Sequence, residues 1–365
     1  MAEQYTPHLY LLFDDWHSGF SIRKVSLSRR SGKQPLSSAS GKEGVVPVPE
    51  VFMHIRAPRG FPDLFTSAFG TKIMAMHTKM ADDTAGIPMI DVQEQTITFG
   101  PQPCTYHCFP ICFPIGANRL FVLDTGTFDR YLWTPEHSEE PWGSQALPPP
   151  PFNTANVSSY GVLPDGCILV STTKSFGGAR TFIFVTTKEE HVWKPCCNWV
   201  LPFTGRGHYV LSLGGFVGLS KDGYLYCSTM AATTTGTSPD VKRTKEKVYT
   251  ERQHVSATLV HMGQGKFGLV ECVSIDNRIT GQDLRESCAE FNEPLGDDVD
   301  DMSDFVGGGP QGGRCMYHLR TFNLSYDPKG DCLKLKSCKG QSCWYSLPHE
   351  ARIGSVCMDP VAFWL

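Results

Sequence analysis

A glycine that runs straight into apolar strand residues recurs five times in this chain, and no other feature constrains its fold as tightly. The pattern reads FGTKIMAM at Gly70, IGANRLFVL at Gly116, DGCILV at Gly166, GGFVGL at Gly215 and QGKFGLV at Gly265. The steps between these glycines are 46, 50, 49 and 50 residues. A unit repeated at fixed period buries its apolar face only against its neighbours, and kelch-type propeller blades run at about 50 residues each.

The same strand grammar returns within each period. In the first, Ile73 and Met74 open a strand, IPMIDV (87–92) gives the next and TITF (96–99) the last. The second has RLFVLD ending at Asp124 and FDRYLW ending at Trp133, then a proline-rich exit, LPPPPF, at 147–152. CILVSTT, TFIFV and HVW follow in the third, which closes in NWVLPF at 198–203. No segment sustains an apolar i, i+3, i+4, i+7 stripe for three turns, so helices are not expected. The fold class read from this pattern is all-β, a kelch-like β-propeller over residues 1–365 as one domain.

The two ends of the sequence complete each other. GSVCMDPVAFWL (354–365) has the form of one strand without a blade, and HLYLLFDDWHSGFSIRKVSL supplies strands without an opener, with a His-Ser-Gly turn at 17–19. Joining them in one blade removes the exposed edges of an open array. With that composite the count is six blades. Five or seven stay open, because the last period is stretched to 89 residues, from Gly265 to Gly354. Residues 278–314 cause the stretch, with the run GDDVDDMSD and the run GGGPQGG. Segments 28–44, 232–253 and 278–314 are expected to be mobile loops.

Composition limits the function classes. A net charge of −4 provides no basic footprint for nucleic acid. MAEQYTPHLYLLFDDW lacks the form of a secretory leader, and no uncharged run is long enough to span a bilayer. The 14 cysteines are accordingly expected as reduced thiols of a cytoplasmic or nuclear protein, a monomer with no membrane partner.

Chemical motifs are weak. Cys104, His107, Cys108 and Cys112 lie within nine residues, but structural zinc sites split their ligands into two separated pairs, and core thiols are the expectation here. Vicinal Cys196 and Cys197 are a redox-capable pair, read as residues of a blade edge. Gly307, Gly309 and Gly312 have dinucleotide spacing but lead into RCMYHL rather than a helix. The acidic run 297–301 lacks EF-hand spacing, and His349-Glu350 lacks the second histidine of a zincin. No catalytic residue, metal ligand or cofactor is assigned, and enzyme activity is not expected.

One segment is singled out for binding. LPFTGRGHYV sets Arg206 and His208 among glycines and aromatics, the composition of an interface hot spot, on a connection between blades. The plainer reading is that Gly205 and Gly207 shape a turn while Arg206 pairs locally.

With AFGTKIMAMH, ITFGP, LPFTGRGHY and VGLS in view, the chain resembles a plant family of the grass lineage, domain of unknown function 1668. The likeness runs from YLLFDDWHSGFSIRKVSL through ATLVHMGQGKFGLVECVSI. It implies a kelch-like or F-box-associated-like propeller without an established enzyme activity. Such repeats commonly carry Phe-Asp before a turn, which Ile90-Asp91 approximates. Phe184-Val185 departs from it, removing a side chain that caps the backbone. The functional expectation is a non-catalytic scaffold presenting loops to a protein partner. The alternatives are a propeller enzyme and a small-molecule or glycan module, both with a site in the central channel. Fold alone does not choose among them.

Overall fold

The computed structural model describes residues 6–15, 18–27, 45–57, 62, 64–76, 86–100, 107, 110–134, 142–173, 178–187, 191–229, 239–250, 253–275, 315–346 and 359–365, and the side chains of 339–341 are left aside. Segments 28–44 and 278–314, with the glycine and acidic runs, Cys104, Cys108 and His349-Glu350, lie outside the described residues.

The strands fall into antiparallel groups of four. One joins β1 (Leu9–Asp14), β2 (Phe20–Val25), β4 (Val51–Ile55) and β25 (Val361–Trp364), while β3 (Val45–Val46) pairs elsewhere. Next come β5 (Leu64–Ala68), β6 (Lys72–Met76), β7 (Pro88–Asp91) and β8 (Thr96–Phe99), then β9 (Ile111–Ile115), β10 (Arg119–Asp124), β11 (Thr127–Trp133) and β12 (Trp142–Ala146). A fourth group holds β13 (Val157–Val162), β14 (Ile168–Thr172), β15 (Arg180–Phe184) and β16 (Trp193–Cys197). The fifth is β17 (Gly205–Val210), β18 (Gly215–Leu219), β19 (Leu225–Thr229) and β20 (Asp240–Arg243). In the last, β21 (His254–His261), β22 (Lys266–Ser274), β23 (Cys315–Tyr326) and β24 (Leu333–Ser346) take β3 as a fifth, parallel strand.

Apolar clusters between successive groups close a ring. Tyr10, Leu12 and Ile22 pack on Ile73 and Ile90; Met74 and Met89 pack on Leu120 and Tyr131. Phe121 and Phe128 meet Val170, Phe184 and Trp193, and Leu169 meets Phe203 and Phe216. Val217 and Cys227 meet Phe267 and Phe322. Val260, Val270 and Leu319 return to Leu9, Phe13 and Val25. Each sheet thus buries both faces against neighbours, the arrangement of a β-propeller. The ends of the sequence share one sheet, since β25 pairs with β1 from Leu9↔Trp364 to Leu12↔Val361.

The periodic glycines make the turn into the second strand of each group. Gly70, Gly116, Gly166 and Gly265 have φ of 81°, 64°, 85° and 74°, a backbone that costs glycine nothing and other residues strain. At the fourth repeat the left-handed residue is Gly214, with φ 64°, rather than Gly215. Gly215 answers a different need, because a Cβ there would lie 2.5 Å from the Ser228 carbonyl.

The structure corrects the strand reading in two places. A strand precedes every periodic glycine, so the apolar strand read as first is second in its group. The missed strands, such as VSSYGV and GRGHYV, mix polar residues and glycine with half-buried apolar ones, and no clean alternation marks them. Within the expected loop 232–253, Asp240–Arg243 is a strand against β19, with Arg243 over the Tyr224 ring at 4.5 Å and Lys242 over Tyr326 at 5.2 Å. The hairpin that turns after Phe184-Val185 is β15–β16, and its register shifts by one residue between Thr181 and Phe182. Asp91 caps its turn by accepting from the Gln93 and Glu94 N–H groups, whereas at the Val185 turn the Thr186 hydroxyl donates to the Gly166 carbonyl.

Candidate functional site

The leading strands of the groups stand closest together about the ring axis. β5 and β13 both meet β9, β25 meets β21, and β13 pairs in parallel with β17, Tyr160 opposite Arg206. Arg206 and His208 therefore sit on a strand at the axis, not on a connection. Gly207 between them is also a strand residue, and only Gly205, with φ 70°, bends the chain.

Arg206 is exposed and forms no ion pair among the described residues. Its charge reaches two neighbours, His208 and Cys112 of β9. His208 is turned between two sheets. Its Nε2 donates to the Leu259 carbonyl at 3.0 Å, and its ring lies 6.0 Å from His261 and 6.2 Å from Phe267. Burial, reinforced by Arg206, pulls its pKa down to about 3, so the ring is neutral in ordinary buffers. Burial also pushes the Cys112 thiol up to about 12, against a hydrogen bond with Thr66 and the Arg206 charge. Neither group exchanges a proton near neutral pH.

Two buried polar clusters escaped the sequence reading. His107 is buried against Asp129 (Nε2 to Oδ2, 3.5 Å), Asp124 (Nδ1 to Oδ2, 3.9 Å) and the Tyr131 hydroxyl (3.3 Å). Burial lowers the His107 pKa while the two aspartates raise it. Its described partners come from β10 and β11.

The second cluster surrounds Glu271, which is fully buried on β22. Its carboxylate accepts from the Thr250 N–H (2.7 Å) and hydroxyl (3.1 Å) and bonds His254 Nδ1 (3.0 Å). His318 and Arg320 approach at 3.8 and 3.6 Å. Burial alone would raise the Glu271 pKa, but these bonds and the Arg320 charge hold it at about 2. His318 stacks on Trp344 at 4.0 Å and Tyr249 on His254 at 3.6 Å, which locks the cluster. It ties the connection at 248–250 onto three strands, a structural task. Glu271 is 17 to 49 residues from its partners in sequence, so no local motif announced it.

No described group of three or more His, Cys, Asp and Glu side chains is arranged to hold a metal ion. No described helix is long and apolar enough to cross a membrane. Among solved structures the chain is similar to the β-propeller domain of Cps50 (Swd1) from Myceliophteria thermophila, with 10% identity, TM-score 0.36, and 70% of this chain and 74% of that one covered. It is also similar to the hydrazine synthase of Kuenenia stuttgartiensis, with 10% identity, TM-score 0.33, and coverage of 78% and 76%. No curated relative matches the chain. A family model described as protein of unknown function, DUF1668, matches residues 6–345, and the chain belongs to that family.

Proposed function

We propose that this protein is a non-catalytic scaffold, a kelch-like propeller of six blades, that captures a protein partner at the axial surface around Arg206 and on the loops beside it. The observation that carries this reading is the exposed Arg206 cation on an axial strand, with no ion pair among the described residues. A rigid ring holds it, and the flanking His208 and Cys112 do not titrate near neutral pH. Arginine on a rigid element suits recognition of a carboxylate-bearing surface. No disulfide joins the described cysteines, which supports an intracellular setting, and the monomeric state proposed goes with the closed ring.

Proximity labelling by the tagged full-length protein, with Arg206→Ala in parallel, tests the proposal. A labelled set that Arg206→Ala loses while keeping the wild-type melting temperature is the expected outcome. Turnover of a substrate by the purified protein, lost on substitution of an axial residue, would replace the scaffold reading with an enzyme.

A further inference from the structure

Consecutive residues of a regular strand point to opposite faces of the sheet, so vicinal cysteines in a strand ordinarily keep their sulfurs apart. Cys196 and Cys197 escape that rule. The β15–β16 register pairs Thr181 with Cys197 and Phe182 with Pro195, leaving Cys196 as the extra residue of a β-bulge. A bulge sets two residues against one and re-aims their side chains. The bulge sets the two thiols close enough that each governs the other's ionisation. Both are half-buried, on the outermost strand of the sheet, where reagents arrive from solvent.

We propose that Cys196 and Cys197 form a reactive vicinal dithiol, a reversible oxidation site at which a hydroperoxide converts Cys196 and Cys197 resolves it. In the first step the Cys196 thiolate attacks the peroxide O–O bond, an S–O bond forms, and with proton uptake one water leaves. The Cys197 sulfur then displaces the hydroxyl of the Cys196 sulfenic acid, which departs with the Cys197 proton as a second water. Two thiols give up two electrons and hydrogen peroxide accepts them.

The surroundings support the division of roles. The Cys197 thiol beside it outweighs burial and draws the Cys196 pKa down to about 7, while Cys197 is held up by Cys196 and by burial. Thr181 stands opposite Cys197 in the register, and its hydroxyl donates to the Trp199 carbonyl at 2.7 Å. A change at the dithiol thus acts on the segment that crosses into β17. Cys272 and Cys315 provide an internal comparison. They are a second pair of thiols that shift one another's ionisation, but they are only 1% and 7% exposed, shut away from reagents.

The test uses the reduced full-length protein, titrated with hydrogen peroxide, alkylated and mapped by mass spectrometry. The peptide holding 196 and 197 is expected to lose two hydrogens and both alkylation sites first, with dithiothreitol restoring them, while Cys272 and Cys315 stay alkylated. Phenylarsine oxide, which needs two adjacent thiols, should protect the same pair. In Cys197→Ala the neighbouring thiol is gone. The thiolate fraction of Cys196 at pH 7 then falls about 50-fold, offset about tenfold by higher intrinsic nucleophilicity, so iodoacetamide labelling should slow roughly fivefold. Disulfide formation at another pair first, or an unchanged Cys196 labelling rate in Cys197→Ala, would overturn the proposal. The wild-type mapping stands even if the variant misfolds.

Discussion

Leu9 pairs with Trp364, so residues from the two ends of the sequence lie side by side in one sheet. The pairing extends past the strands, with the Leu365 N–H donating to the His8 carbonyl at 3.0 Å. Leu9, Tyr10, Leu11 and Leu12 are buried behind this closing strand.

Deleting 361–365 is therefore expected to open the ring. Uncovering several apolar side chains at roughly 2 kcal/mol each should cost about 5 kcal/mol or more. Thermal melts should place this deletion well below full-length protein, while removal of 295–312 leaves the melting temperature within about 2 °C. A tail deletion that melts like the full chain would contradict closure.

Phe203 accounts for two glycines. A Cβ on Gly207 would lie 2.3 Å from its ring, and one on Gly218 would lie 2.2 Å from it. Gly207→Ala is expected to destabilise by about 2–4 kcal/mol through overpacking. In Phe203→Ala, itself costly, the added methyl meets empty space. Urea denaturation of the four members of that cycle should give a coupling energy above about 1 kcal/mol.

His208 makes the fold sensitive to acid. Its pKa is about 3 when folded against an ordinary 6.5, so between those values the unfolded chain binds a proton that the folded chain refuses. Stability is then lost as pH falls through 6.5 toward 3, by about 1.4 kcal/mol per pH unit at most. The buried His261 is lowered too and acts in the same direction. His208→Gln, whose amide nitrogen can still reach the Leu259 carbonyl, should unfold at lower pH than wild type. At pH 8 the two proteins should match.

Glu271 acts in a lower window. A carboxyl held at about 2 rather than 4.5 contributes on the order of 3 kcal/mol above pH 4.5, and that contribution disappears as pH falls toward 2. Glu271→Gln keeps an acceptor for the Thr250 N–H but strands the Arg320 and histidine donors. A loss of about 2–4 kcal/mol at pH 7 is expected, with a flatter acid limb below pH 4.5 in denaturant titrations.

Residue order alone determined the all-β class, the repeat and the joining of the two ends. These rest on signals that one strand and its own turn carry, such as TITF at 96–99, RLFVLD at 119–124 and the left-handed Gly70, Gly116 and Gly166. Strands covered on both faces are nearly continuous apolar runs, legible without their neighbours. The axial strand GRGHYV carries no such run, so in sequence Arg206 and His208 have the form of a connection. Only tertiary structure decided what surrounds a polar group. Glu271 meets Thr250, His254, His318 and Arg320 because three strands and a crossing segment converge there. The adjacency of Cys196 and Cys197 is plain in the sequence, but how their side chains are aimed depends on one extra residue in the register with β15. Strand formation is local in its causes. Burial, charge and thiol contact are set by distant neighbours, which is why the chemistry of this protein waits for its fold.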